Sequence, residues 1–442
     1  MATSTSGAIR RALGLFLASC LLTGASRAKP TASAGLFDRA TMKAADLGGL
    51  KAWLGQPVQV TGQVSWGTQT LDAQGKMQMS FAHYFPGLAK FPGGNLIATY
   101  ALDSDSQDDP VFISGWQISR DGGRAWGRRY SLIMQHNPMV FVPRTHDSLL
   151  AIPSELVQQT VGDERNFTGP GLLFEEGGKR IVILPDGVRL VNWPWPVDVA
   201  PNSQPQENWH VGLCLTGNVL PAQGGVLATI YGRKKGARYY DTMLILSRDE
   251  GATWRYYATV ASPDPALEGQ KRYEGPCEST VIRLADGDLM AAFRVGSGPS
   301  WNLRRNYSHD GGRTWGPTDA LPAYSVMPSM LRLANGVIAL STGRPGIDLW
   351  LSADPRAAAW QKVDIIAHHN SCESDPTYRI SRHDTGDYTQ WETTAYTKLV
   401  EIAPNRMLLI YERDAIIRPP ERAPTSREDR SRVFVLPIEI ER

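Results

Sequence analysis

The octet Ser-Arg-Asp-Gly-Gly-Arg-Ala-Trp occupies residues 119–126, and two near copies of it follow. They are Ser-Arg-Asp-Glu-Gly-Ala-Thr-Trp at residues 247–254 and Ser-His-Asp-Gly-Gly-Arg-Thr-Trp at residues 308–315. Ser and Asp side chains accept hydrogen bonds from nearby backbone N–H groups, Gly tolerates a positive φ, and Trp offers a large apolar ring to bury. Each copy follows a strand-like run, such as Asp241–Leu246. The octet therefore predicts the turn of a β-hairpin, and its recurrence predicts a repeat architecture.

A second repeat accompanies the octets, with the form apolar-x-x-Gly-x-apolar followed by a short apolar strand. Six segments carry it in strong or weak form, and they begin roughly 45 to 75 residues apart, which suits four-stranded blades. The first two octets are about two such periods apart, so one blade between them lacks the octet. A degenerate fourth octet spans Ser352–Trp360. The segments lie at residues 91–98, 144–150, 222–228, 284–290, 333–339 and 402–409.

The octet resembles the Asp-box of the sialidase superfamily, whose members are six-bladed β-propellers with the box at the outer turn of several blades. The resemblance implies an all-β, six-bladed propeller over residues 36–442. In that family the boxes are structural and lie away from the active-site face. Function must therefore be argued from other residues.

Two terminal segments complete the predicted propeller. The apolar residues of Phe37–Leu54 have helical spacing and predict a short helical cap. Val433–Ile440 reads as a last strand, which we expect to close the ring by completing a blade with the segment Val58–Val64.

Residues 1–28 are typical of an export signal. Arg10 and Arg11 precede the apolar run Ala12–Leu22, and small residues follow with cleavage expected after Ala25 or Ala28. The run is too short for a transmembrane helix, so the prediction is a secreted or periplasmic protein. A lipobox-like match ends at Cys20, and lipoprotein anchoring at that residue is the alternative.

Composition excludes some partners. The 46 Lys and Arg residues nearly balance the 44 Asp and Glu residues, and a net charge of +2 gives no electrostatic case for a nucleic-acid partner. Cys214, Cys277 and Cys372 lack metal-ligand spacing. A disulfide between Cys277 and Cys372 and a set of buried free thiols are the two alternatives. No metal and no cofactor is predicted.

The reaction of the sialidase superfamily indicates which catalytic residues to expect. Its sugar carries a carboxylate on the anomeric carbon, which would repel a carboxylate nucleophile. The family therefore uses a Tyr nucleophile, a Glu that takes its proton, an Asp acid/base, and Arg residues that hold the substrate carboxylate.

The segment Tyr273–Arg294 resembles the part of the family in which a Glu opens an inner hairpin and an Arg ends it. Antiparallel pairing would bring Glu278 and Arg294 to the same place. The resemblance implies that Glu278 is the base and Arg294 a carboxylate ligand.

The later blades repeat this arrangement. Arg344 ends the next hairpin and resembles the family's later Arg, while Tyr396 opens a hairpin similar to the one that carries the nucleophile. Taken alone, Arg344 could equally be a structural ion-pair partner and Tyr396 a packed aromatic. Their order, together with Glu278 and Arg294, favours the catalytic interpretation.

Two positions in the first blade complete the predicted site. Asp108 stands where the family has its acid/base Asp, with Asp109 as the competing choice. The family's first Arg is replaced here by Tyr84, which follows His83. Relative to the family, the loss of this bidentate contact would cost about 2 kcal/mol or more of carboxylate binding. His83 and Tyr84 stand in its place, and we predict that both bind the substrate.

The sequence thus predicts a secreted exo-glycosidase that acts on a terminal, acidic sugar of a glycan. Two alternatives stay open. One keeps the fold on another sugar, either as a different exo-glycosidase or as a uronate lyase in which Tyr84 or His83 transfers the proton. The other is a propeller that binds glycans without catalysis.

Overall fold

The computed structural model describes residues 35–61, 68–71, 77–80, 84–102, 113–133, 138–156, 158–159, 165–197, 213–298, 300–381, 393–413 and 431–442. Leu36–Arg442 form one compact unit. Within the described residues, no helix has the length and hydrophobicity needed to span a bilayer. The first strands are β1 (Lys43–Asp46), β2 (Lys51–Leu54), β3 (Val58–Gln59), β4 (Thr68–Leu71) and β5 (Met77–Ser80), of which β4 and β5 pair only with each other.

Blades 1 and 2 are antiparallel four-stranded sheets, and additional short strands follow blade 2. Blade 1 consists of β6 (Tyr84–Lys90), β7 (Leu96–Ala101), β8 (Ile113–Ser119) and β9 (Tyr130–Ile133). Blade 2 consists of β10 (Pro138–Arg144), β11 (Ser148–Pro153), β15 (Leu172–Glu175) and β16 (Arg180–Ile183), and the short strands are β12 (Glu155–Leu156), β13 (Gln158–Gln159), β14 (Phe167–Gly169) and β17 (Val188–Leu190).

Blade 3 is an eight-stranded sheet, because those four short strands join its two edges. Its own strands are β18 (Leu213–Ala222), β19 (Gly225–Gly232), β20 (Asp241–Ser247) and β21 (Thr253–Ala261). Blade 4 consists of β22 (Tyr273–Arg283), β23 (Leu289–Gly296), β24 (Arg304–Ser308) and β25 (Asp319–Ala320).

Blade 5 is again four-stranded, and blade 6 closes the ring. Blade 5 consists of β26 (Ser329–Arg332), β27 (Ile338–Gly343), β28 (Ile347–Ser352) and β29 (Gln361–Asp364), and is followed by the helix α1 (Ile365–Cys372) and the 3₁₀ turn Pro376–Tyr378. Blade 6 consists of β30 (Lys398–Ala403), β31 (Arg406–Arg413) and β32 (Arg432–Glu441), and β2 and β3 pair with β32 while β1 pairs with β2. The predicted six-bladed propeller is confirmed.

The core lies between the blades. Separate clusters of buried side chains join each neighbouring pair of blades round the ring, and the cluster of Leu96, Tyr100, Leu408 and Val435 joins blade 6 back to blade 1. Full burial of one such aliphatic or aromatic side chain contributes about 1.5–3 kcal/mol. The ring is therefore held by apolar contacts between adjacent sheets.

The octets form the turns between the third and fourth strands, as predicted. In the second copy the Ser247 hydroxyl donates to Asp249 and accepts from the backbone N–H of Gly251, both at 2.8 Å. The indole of Trp254 donates to the Gly251 carbonyl at 2.7 Å and is fully buried. The six predicted hairpin segments are the turns between the first and second strands of their blades, and four of them carry Gly at the turn. Both kinds of turn lie at the same end of the ring.

The prediction of a helical cap over Phe37–Leu54 was wrong. Its C-terminal part forms the hairpin of β1 and β2, and β2 pairs with residues Ile438–Glu441 of β32. Gly48 and Gly49 have φ of 63° and 118°, which turns the chain where a helix would need negative φ. The predicted closure is confirmed, since Val58 of β3 lies opposite Val435 of β32.

The cysteines do not form the disulfide that was one of the two alternatives. Cys214, Cys277 and Cys372 are free thiols. The first two are buried, and the third is partly exposed. The prediction of free thiols is confirmed, though only two of the three are buried.

Candidate active site

Glu278 and Arg294 come from the inner hairpin of blade 4. Glu278 lies in β22 and Arg294 near the end of β23, and Cys277 is paired with Arg294 in the register between them. Irregularities on both sides of Cys277 interrupt the ladder, and the Arg294 guanidinium donates from Nη1 to Oε2 of Glu278 at 2.8 Å. The predicted juxtaposition of these two ends is confirmed.

The guanidinium of Arg294 uses most of its N–H donors on other groups of the protein. Its Nε donates to the Gly296 carbonyl at 3.1 Å, and its Nη2 donates to Ser297 Oγ at 2.7 Å. The same Nη2 lies 2.9 Å from Oε2 of Glu274. A guanidinium has five N–H donors, so this cation is largely committed to two carboxylates and two neutral oxygens.

Tyr396 reaches Glu278 from blade 6. It precedes β30, is buried, and donates its phenolic proton to Oε1 of Glu278 at 2.5 Å. The backbone N–H of Met327 donates to the other carboxylate oxygen at 3.1 Å. Glu278 therefore receives hydrogen bonds from Arg294, Tyr396 and Met327, which come from three blades or their connections.

Arg344 lies beside Tyr396. Its guanidinium carbon is 5.8 Å from the centre of the Tyr396 ring, within the range of a cation–π interaction. Its Nη2 donates to the Thr394 carbonyl at 3.1 Å, and the residue is partly exposed. The Phe85 ring packs edge-on against Tyr396 with centroids 4.6 Å apart. Arg344 is thus the more exposed of the two predicted arginines.

The charges set opposite pKa shifts on the central pair. Burial acts to raise the pKa of Glu278, but the Arg294 cation and the hydrogen bonds from Tyr396, Arg294 and Met327 outweigh it and lower the value to about 2. Burial, followed by the charge of Glu278, raises the pKa of Tyr396 well above its ordinary value. At neutral pH Glu278 is therefore an ionised carboxylate, and Tyr396 is a neutral phenol that donates a hydrogen bond to it.

Four residues that border the site have unusual backbone conformations. Phe85, Met327, Arg344 and Ala395 have φ of 50°, 36°, 63° and 60°, a region that residues other than glycine seldom adopt. All four border the open ends of inner hairpins, where Tyr396 lies. Strain of this kind persists where the surrounding structure imposes it, and it clusters at functional sites.

Sequence reasoning missed three residues of the site. Glu274 contacts Arg294, and Tyr324 packs in one buried cluster with Met327 and Tyr396. Glu412 accepts hydrogen bonds from the hydroxyls of Thr393 and Thr394 and from the backbone of Thr394, which fixes the segment before Tyr396. The position of Glu274, four residues before Glu278 on the same strand, was the only signal in the sequence.

The remaining predicted residues are described only in part. Tyr84 begins β6, next to Phe85. His83, Asp108 and Asp109 lie outside the described residues. Their predicted roles stay predictions. The assignment of Asp108 or Asp109 as the acid/base residue therefore rests on the sequence alone.

Lys398 lies two residues beyond Tyr396 and crosses the centre of the ring. It is buried, and its ammonium donates to the Gly217 carbonyl of blade 3, three blades away from its own. Burial lowers its pKa from 10.5 to about 7. This contact joins opposite sides of the propeller beneath the site.

The fold and this cluster define a six-bladed β-propeller with a buried Tyr–Glu–Arg site at the end of the ring opposite the octets. Residues 191–396 match the BNR repeat-like domain. That match covers less than half of the chain, and together with the six blades it fits a sialidase-like propeller fold. Comparison with curated protein sequences gives no match.

Several solved structures share the fold. A protein of unknown function from Dyadobacter fermentans is 16% identical with a TM-score of 0.55, and the match covers 89% of this chain and 100% of that one. The alpha-L-arabinanase of Penicillium chrysogenum, complexed with arabinobiose, is 13% identical with a TM-score of 0.54, covering 87% and 98%. The Hadza microbial sialidase Hz136 is 15% identical with a TM-score of 0.49, covering 83% and 67%. For the first two structures, the likeness at these identities concerns the fold alone.

Proposed function

We propose that this protein is a retaining exo-glycosidase with Tyr396 as its nucleophile. The observation that carries the proposal is the 2.5 Å hydrogen bond from the Tyr396 phenol to Glu278, a carboxylate whose low pKa keeps it ionised. A nucleophile joined to a base that is itself oriented by a third group is the arrangement that covalent catalysis requires. Here Arg294 is the orienting group.

The first step moves two protons. As Tyr396 Oη attacks the anomeric carbon, Glu278 takes the phenolic proton, and Asp108 or Asp109 protonates the departing glycosidic oxygen. The raised pKa of Tyr396 means that the resting phenol keeps its proton, so its transfer accompanies the attack. The nearby Arg344 cation favours the phenolate that develops. Water activated by the same Asp then releases the sugar, and Tyr396 recovers its proton from Glu278.

The proposed substrate is a terminal acidic sugar. A neutral phenol can attack an anomeric carbon that carries a carboxylate, whereas an anionic nucleophile would be repelled. Arg344 is partly exposed next to Tyr396, so we assign it the substrate carboxylate. Arg294 faces Glu274 and Glu278, so its main proposed role is to position Glu278, with its carboxylate-binding role secondary.

One observation favours a second candidate, an exo-glycosidase of neutral sugars. Glu274 and Glu278 already balance the charge of Arg294, which weakens its attraction for a substrate anion. An arabinanase is among the proteins that share the fold. Neutral arabinofuranosides therefore belong in the substrate panel.

Hydrolysis by the purified protein tests both candidates. Aryl sialosides, aryl glucuronides and aryl arabinofuranosides are incubated with the wild type, Tyr396→Phe and Glu278→Gln, and circular dichroism checks that each variant is folded. Release from sialosides alone, lost in both variants, supports the proposal. Release from arabinofuranosides supports the second candidate. An unsaturated uronate product indicates a lyase, and binding without release indicates a non-catalytic propeller; either result overturns the proposal.

Export is part of the proposal, because terminal sugars of glycans are met outside the cell. We propose that residues 1–28 are a signal peptide and that residues 36–442 form the mature propeller. Mass spectrometry of the protein from its own host should find a new N-terminus after Ala25 or Ala28. A lipidated Cys20 would show anchoring instead.

A further inference from the structure

Lys398 is a buried charged side chain to which the mechanism above gives no role. It begins β30, two residues after Tyr396, and its ammonium donates to the Gly217 carbonyl in β18 of blade 3. Among the described residues, no carboxylate pairs with this ammonium. Burial of an unpaired charge costs stability, and departures of this kind from the rules of core packing are expected where a residue serves function. A role other than core packing is therefore expected for Lys398.

The acceptor of this contact lies directly against the strand that carries Glu278. Gly217 has a φ of 71° at a bulge in β18, where the register with β19 shifts between Thr216 and Leu220. A Cβ on Gly217 would lie 2.5 Å from the carbonyl oxygen of Ser279, the residue after Glu278, so only glycine permits this approach. Thr216 Oγ1 also accepts a hydrogen bond from the backbone N–H of Ser279 at 3.1 Å. The position of the Gly217 carbonyl is therefore fixed relative to Glu278.

Two further contacts hold the start of β30 to blade 5. The Thr397 and Ser341 hydroxyls share a hydrogen bond at 2.7 Å, and the backbone N–H of Leu399 donates to Ser329 Oγ at 3.1 Å. Both partners belong to the adjacent blade. The Lys398 contact is different, because it crosses the ring to a carbonyl that lies against β22.

We propose that Lys398 is a positioning residue that holds the Tyr396 phenol at hydrogen-bond distance from Glu278. The inference rests on the proposed function, in which Glu278 takes the proton of Tyr396. From Tyr396 the backbone leads to Lys398, whose side chain crosses the ring to Gly217. Gly217 in turn lies against the strand that carries Glu278. Displacement of a reacting group by about 1 Å can slow a reaction about a hundredfold, so a contact that fixes this distance can govern the rate.

Lys398→Met in the full chain tests the proposal, because methionine nearly keeps the volume and removes both the charge and the donor. Hydrogen–deuterium exchange should quicken about tenfold at the amides of residues 394–397, while the urea midpoint of unfolding rises because the buried charge is gone. On a sialoside, kcat should fall about tenfold or more with KM nearly unchanged. A side chain that serves only core packing would move stability, local protection and rate in the same direction.

Two further variants separate this contact from its neighbours. Lys398→Gln keeps an N–H donor on a shorter side chain, so its effects should have the same direction as those of Lys398→Met and be smaller. Asn218→Ala removes the adjacent hydrogen bond that crosses from blade 3 to the Met330 carbonyl of blade 5 at 2.7 Å. This control should change neither kcat nor amide exchange at residues 394–397.

The outcomes distinguish this proposal from the proposed function. Unchanged exchange at residues 394–397 in Lys398→Met overturns the positioning role, and so does an unchanged kcat or an equal loss in Asn218→Ala. A fall in kcat that accompanies a fall in the free energy of unfolding shows a structural role and also overturns it. If the wild type hydrolyses nothing while exchange quickens in Lys398→Met, the proposed function fails and the positioning of Tyr396 stands. If Tyr396→Phe is inactive and Lys398→Met behaves as the wild type, the reverse holds.

Discussion

The phenol of Tyr396 donates to Oε1 of Glu278 across 2.5 Å, although 118 residues separate the two in the chain. Arg294 and the Met327 N–H hold the second oxygen of the same carboxylate. Glu278 thus connects blade 6 to blade 4 at the end of the ring opposite the octets. These two residues are the proposed nucleophile and its base.

Glu274→Gln tests which sugar the site was built for. The change keeps the shape of residue 274 and removes one of the two carboxylates on Arg294, so the site becomes more positive. If the substrate is acidic, inhibition by free N-acetylneuraminic acid should strengthen about tenfold. Glu176→Gln, on an exposed turn, is the matched control. An unchanged inhibition constant would favour neutral sugars.

Arg294→Gln should reverse the pH dependence of the stability that Glu278 contributes. In the wild type the folded pKa of Glu278, about 2, lies below its ordinary 4.5, so its contribution is present above pH 4.5 and is lost as the pH falls towards 2. Without Arg294, burial raises the folded pKa of Glu278. The ionised carboxylate then destabilises the folded state as the pH rises.

Urea unfolding of the wild type and Arg294→Gln at pH 5 and pH 7.5 measures this reversal. We expect the variant to lose about 3–5 kcal/mol at the higher pH, and less at the lower one. A difference in the free energy of unfolding that is the same at both values would contradict the assigned charge of Glu278.

Lys398→Met should stabilise the propeller at neutral pH. The folded pKa of Lys398, about 7, lies below its ordinary 10.5, so the folded state binds fewer protons and wild-type stability rises between those two values. The variant avoids the buried charge but leaves the Gly217 carbonyl without its donor, for a net gain of about 1–3 kcal/mol at pH 7. In Lys398→Met the free energy of unfolding should not rise between pH 7 and pH 9. In the control Lys362→Met, on an outer strand, it should rise as in the wild type.

Asp249→Ala should affect stability and leave catalysis unchanged. Asp249 accepts hydrogen bonds from Ser247 and from the backbone of Thr253, at the end of the ring away from Tyr396. Their loss should lower the free energy of unfolding by about 1–2 kcal/mol. The rate constant for hydrolysis, measured well below the unfolding temperature, should match the wild type. A large fall in that constant would show that the octets take part in activity.

Local chemistry explains what the sequence could predict. The octets and Gly hairpins carry their turn-forming residues within a few positions, and antiparallel pairing across one hairpin places Arg294 beside Glu278. The partnership of Tyr396 with Glu278 was expected from the resemblance to the sialidase family, in which a Glu takes the proton of the Tyr nucleophile.

The contacts that the sequence could not predict depend on connections between blades. Tyr324 reaches the cluster from such a connection, and Lys398 crosses the ring to Gly217. No local pattern signals either contact. The segment Phe37–Leu54 misled because its helical spacing was overridden by pairing with β32, a strand nearly 400 residues away.

Trapping of the covalent intermediate tests the central claim most directly. A sialosyl fluoride with fluorine at C3 should react with the wild type, because fluoride leaves readily while the second fluorine slows release of the sugar. The tryptic peptide His383–Lys398 should gain the mass of the sugar, with fragmentation placing it on Tyr396. The adduct should persist in Tyr388→Phe, which removes the peptide's other tyrosine, and disappear in Tyr396→Phe. An adduct on Glu278 or Glu274, or turnover of a sialoside in Tyr396→Phe, would contradict the account.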